Sequence, residues 1–240
     1  MPTAVLPEVS PQMNQIKPVA PWPHTAALAS IFLCLTLAGA FFQRRALKHP
    51  QDLASPHVVP IYLSLIALEY GLFAYVKGGL ARYRLPVKTL IGGQWDGPRD
   101  VLRDIGLGLG LWAIWLGVEK TWSHIFATSH AASIHTFLPG KPVEIVLWIV
   151  VSISAGISEE IAFRGYFQRQ FGALTGSRWI ALWLQAVLFG IGHGYQGAQA
   201  MVRIALFGVM FGLLALWRNS LRPGIIAHAW TDILSGLFGI

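Results

Sequence analysis

The feature that most constrains this chain is the run Val143–Phe163, VEIVLWIVVSISAGISEEIAF. After Glu144 it carries no charge until two adjacent carboxylates, Glu159 and Glu160, with Arg164 just beyond. A stretch of about 20 predominantly apolar residues is what a helix needs to cross hydrocarbon. Inside hydrocarbon every backbone N–H and C=O must be satisfied within the protein, so the run is expected to be helical. An acidic side chain at the centre of such a helix costs about 2.5–3.5 kcal/mol. Two in a row call for partners or for chemistry. On an α-helix Glu160 and Arg164 are i,i+4 neighbours and can pair. Glu159 lies about 100° further round the axis and is expected to project toward a different partner.

The rest of the chain repeats the pattern. It is 54% hydrophobic and 12% charged, against about 25% charged in an ordinary soluble domain, and its mean hydropathy is +0.54. The expected fold is all-α: a multi-pass transmembrane helical bundle of about seven (six to eight) membrane helices. A membrane β-barrel would show short alternating segments, and these runs are too long and too uniformly apolar. The net charge of +7 does not point to nucleic acid. The basic residues stand in the connections between apolar runs, where they encode membrane topology. A single cysteine, Cys34, excludes an intramolecular disulfide.

Taken in order, residues 1–24 hold six prolines and no apolar core, and are expected to be a disordered cytoplasmic tail. Residues 25–142 hold N-terminal membrane helices and loops, with spans expected at 25–42, 57–76 and 101–118. Glu69 stands alone in the second span and is given no role. In the third, Gly106 and Gly110 have the GxxxG spacing that lets helices approach closely. Residues 119–142 read as an interfacial loop containing His124, His130 and His135. Residues 143–240 form the third region, with spans at 143–163, 179–192, 201–217 and 225–240, and a second GxxxG at Gly208 and Gly212. Twelve of the 18 Lys and Arg residues fall on the side of the N-terminus, which makes that side cytoplasmic. The acidic pair then sits near the cytoplasmic end of its span, in a cell membrane.

Three polar intrusions mark the C-terminal region: Glu159, Glu160 and Arg164; His193, with Phe189 four residues before it; and His228 with Asp232. His228 and Asp232, four apart, share a helix face. A buried carboxylate can take a proton from water, and a histidine can donate to an oxyanion or hold Zn²⁺, which acidifies bound water. No serine or cysteine stands in an activating context, so attack by water is favoured over an acyl-enzyme.

EExxxR at Glu159, Glu160 and Arg164, FxxxH at Phe189 and His193, and the HxxxN-like His228…Asp232 together resemble the CPBP family of CAAX-type intramembrane proteases. This group includes the Ras-converting CAAX endopeptidase and bacterial relatives. The resemblance implies an intramembrane endopeptidase with a polar cavity open to the cytosol. Glu159 would activate water with His193 assisting. His228 would stabilise the oxyanion or bind metal, with Asp232 where the family commonly has Asn. Glu160, Arg164 and Phe189 would support the site. His193, His228 and Asp232 are the candidate ligands if Zn²⁺ is used; a glutamic-type route needs no metal. The implied substrate is a peptide or membrane-anchored protein met within the lipid bilayer. A non-catalytic peptide-binding immunity or scaffold protein is the alternative. A proton-coupled carrier is disfavoured, because no interrupted helices occur in matching halves.

Overall fold

A computed structural model describes residues 17–48, 57–126 and 137–239. His130 and His135, and most of the tail, lie outside the described residues. The apolar runs are helices: α1 Trp22–Lys48, α2 Val58–Ala81, the short α3 Lys88–Ile91, α4 Pro98–Ile125, α5 Pro142–Glu159, α6 Gln168–Thr175, α7 Arg178–Gly192, α8 Ala198–Arg218 and α9 Arg222–Phe238. A π-helical segment, Glu160–Phe167, joins α5 to α6, and a 3₁₀ turn, Gly194–Gln196, joins α7 to α8. There is no strand among the described residues. Five stretches are long and apolar enough to cross a membrane, the longest being Pro142–Thr175, which runs through α5, the π segment and α6. α7 and α9 are shorter, with 15 and 17 residues.

Two boundaries differ from expectation. Residues 119–125 are not a loop: α4 continues to Ile125, and Glu119 on it pairs with Arg203 on α8 at 2.9 Å. The end of the segment expected to be disordered is folded. Gln170 on α6 accepts from Val19 N–H at 2.7 Å and donates to the Ala20 carbonyl at 2.9 Å. His24 donates through Nε2 to the Tyr75 carbonyl, so its Nδ1 accepts from the Tyr166 hydroxyl at 2.8 Å. Gln170 thus satisfies two backbone groups just ahead of α1, and the His24 side chain ties the first turn of α1 to α2 and to the π segment.

Close approach sets the position of the site. α5 packs along both α2 and α9. Gly156, one turn before the acidic pair, faces α9 so closely that a Cβ there would lie 2.8 Å from the Ala229 amide nitrogen. Trp148 on α5 lies over Gly236 and donates its indole N–H to the Asp232 carbonyl at 2.9 Å. The second GxxxG behaves as its spacing suggests, with Gly208 against Ala186 and Gly212 against Leu182 and Gln185. The first does not. Gly106 and Gly110 face open space, and Gly108 between them meets Pro223 and Ile226.

Candidate active site

The acidic pair straddles a change of helix type. Glu159 ends α5, and Glu160 opens the π segment. A π turn closes i→i+5 hydrogen bonds and takes an extra residue, and such turns recur at functional sites. Both carboxylates reach the same imidazole, so Glu159 shares His228 with Glu160 besides meeting a separate partner, Glu69. Glu160 Oε1 lies 3.0 Å from His228 Nδ1, and Glu159 Oε2 lies 3.6 Å from His228 Nε2. The 100° between neighbours is offset because the two ring nitrogens point in different directions. Asp232, one turn along α9 from His228, brings Oδ2 to 3.7 Å from the same Nε2.

The cluster has a closed end and an open end. Glu160 and Arg164 have fully enclosed side chains and pair at 2.9 Å. The guanidinium lies 4.3 Å from the centre of the Phe189 ring, with Phe207 and Phe211 also near. Its Nε and Nη2 find no hydrogen-bond acceptor among the described residues. Aromatic faces and one carboxylate hold the charge instead. The other carboxylate oxygen of Glu160 lies against Gly224 in the first turn of α9, 3.1 Å from where a Cβ would be. A helix N-terminus favours negative charge there. Glu159 and Asp232 face outward, with side chains 16% and 34% exposed, against 5% for His228.

His228 Nδ1 faces a carboxylate, so it carries the proton and donates to Glu160. Nε2 is left toward Glu159 and Asp232. A ligand atom entering from the open end therefore meets an imidazole nitrogen flanked by two carboxyl groups.

Among the described residues no hydrogen bond or ion pair joins His193 to this cluster. His193 caps α7, and its Nδ1 donates to the Phe189 carbonyl at 2.9 Å. In the neutral tautomer that leaves Nε2 as an acceptor. The Phe189 ring lies beside both imidazoles, its centre 4.9 Å from the His193 ring and 6.2 Å from the His228 ring. Among the described residues no carboxylate ion-pairs with His193, and no three His, Cys, Asp or Glu side chains are placed to hold a metal. His193, His228 and Asp232 are thus not assembled as a ligand set.

Two residues at the site were passed over in the sequence. Glu69 on α2 is buried and in side-chain hydrogen-bond contact with Glu159. Its signal was present, since a carboxylate inside an apolar span is a functional marker by itself. Tyr195, in the 3₁₀ turn after His193, lies within electrostatic reach of Glu159, Asp232 and Glu69. Nothing in the local sequence marks it. α1 supports this turn: Gly39 lies against Tyr195, and Thr36 donates to the Ile191 carbonyl at 3.0 Å.

Residues 141–234 match the family described as type II CAAX prenyl endopeptidase Rce1-like. The match bears out the resemblance drawn from the motifs and spans Glu159, Glu160, Arg164, Phe189, His193, His228 and Asp232. It supports a multi-pass membrane protein of the CAAX-type protease class. No curated protein and no solved structure matches the chain.

Proposed function

We propose, from the similarity of residues 141–234 to CAAX-type endopeptidases, that this chain hydrolyses a peptide bond of a membrane-anchored, prenylated-type protein using water activated by Glu159. The observation that carries the proposal is the partly exposed pair of Glu159 and Asp232 around His228 Nε2, backed by the enclosed Glu160–Arg164 pair. Glu159 takes a proton from water as the water oxygen bonds to the scissile carbonyl carbon. The carbonyl oxygen gains negative charge. His228, protonated on both nitrogens, donates through Nε2 to that oxyanion while Nδ1–H stays on Glu160. Arg164 neutralises Glu160 and so fixes the acceptor that orients the ring. The proton held by Glu159 then passes to the leaving nitrogen as the C–N bond breaks.

His193 and Tyr195 flank the open end and contact the substrate chain rather than the attacking water. This narrows the role that the family resemblance implies for His193. The site opens to the cytosol in a cell membrane, as the distribution of Lys and Arg supports.

The test is Glu159→Gln in purified, detergent-solubilised protein with a prenylated fluorogenic peptide. A positioned general base contributes about 100- to 10,000-fold. The expected result is a loss of that order in kcat with an unchanged melting temperature. Cleavage at the wild-type rate refutes the proposal.

A further inference from the structure

We infer that Glu69 is a positioning residue for Glu159, holding it through one shared proton. The inference rests on the endopeptidase proposal and extends it to α2, which lies outside the segment matched by the family. Glu69 is 8% exposed, its Oε2 has no hydrogen-bond partner among the described residues, and its side chain contacts Glu159. Around it stand Glu159 on α5, His228 and Asp232 on α9, and Tyr195 in the turn after α7. No lysine or arginine is among them.

A carboxylate is acceptor-only, so two carboxyl groups hydrogen-bond only when one carries a proton. Two carboxylates sharing a site hold one proton between them for the same reason. Here the two members are not equivalent. Glu159 faces the open end, whereas Glu69 is enclosed between α2 and α5. The proton therefore resides on Glu69, which donates to one Glu159 oxygen and leaves the other to accept from water. The cycle balances. The pair holds one proton before attack and two once water has been deprotonated. It returns to one when the amine leaves with its proton.

A neutral side chain that can still donate should replace Glu69 in part, and an apolar one should not. Glu69→Leu removes a buried carboxyl from an apolar span, so it should fold and melt at least as high as wild type. Its kcat should fall by about 100-fold, the scale of a misaligned catalytic group, with KM little changed. Glu69→Gln should recover about tenfold or more of that loss. Wild-type kcat in Glu69→Leu, or no recovery in Glu69→Gln, overturns the inference. So does a loss matched by a lowered melting temperature, which marks a merely structural residue.

Infrared spectroscopy judges the pair without turnover. Wild type should show a protonated-carboxyl C=O band that Glu69→Gln lacks, and an unchanged spectrum overturns the shared proton. If Glu159→Gln cleaves as well as wild type, it is the endopeptidase proposal that fails, and the infrared band alone decides whether the two carboxyls are paired.

Discussion

Arg164 is the residue whose removal should separate stability from chemistry. Its side chain and that of Glu160 are fully enclosed and 2.9 Å apart. Removing one partner of a buried pair costs about 3–5 kcal/mol, because the other charge is left uncompensated. Glu160 keeps its contact with His228 Nδ1 at 3.0 Å, so Arg164→Ala should fall near the lower end, about 3 kcal/mol. For a chain of this size that corresponds to a drop of about 6–12 °C in melting temperature. The assay is intrinsic-fluorescence melting in detergent, for which the chain's ten tryptophans provide signal. Activity should be lost as well. The double variant Glu160→Leu with Arg164→Met exchanges the pair for apolar side chains of similar volume, which is often neutral or stabilising. It should recover most of the melting temperature and none of the activity, because His228 Nδ1 has lost its acceptor. A single variant melting within about 2 °C of wild type would refute the energetic reasoning. A double variant with restored cleavage would refute the role given to Glu160.

Three further variants test the scaffold. Gly156→Ala places a Cβ 2.8 Å from the Ala229 amide nitrogen and should destabilise by about 1–3 kcal/mol with reduced cleavage. Gly106→Ala meets nothing within 4 Å and should be neutral or better in the same thermal melt. Gln170→Leu leaves the Val19 N–H and the Ala20 carbonyl unpaired and should cost about 1–3 kcal/mol, read as a lower melting temperature and faster proteolysis ahead of α1.

Apolar run length alone gave the membrane helices, because hydrocarbon leaves the backbone no alternative. The i,i+4 logic also gave the Glu160–Arg164 pair and the shared face of His228 and Asp232. It failed where geometry departs from the regular α-helix or depends on a distant helix. The π segment has no sequence mark, so nothing in the spacing says that one imidazole receives both Glu159 and Glu160 while Glu159 also meets Glu69. His193 matches its motif by spacing, and its Nδ1 is held by the Phe189 carbonyl, a contact that the motif does not announce. Glu69 was set aside because its partner stands ninety residues away, on a helix that only packing brings alongside. Gly108 rather than Gly106 or Gly110 meets α9, since hydropathy says which segments cross but not which face of α4 turns inward.

The wide stretch Glu160–Phe167 lets one helix serve two distant neighbours. Upstream it aims a carboxylate at the α9 imidazole, and downstream it delivers Tyr166 and Gln170 to the start of α1. Each extra residue in a turn advances the phase of everything that follows. Deleting a single residue between 160 and 167 would leave hydropathy and span length almost untouched. It would still swing the α1 anchor and the acidic pair out of step, so that either the pocket or the grip on the first helix is lost.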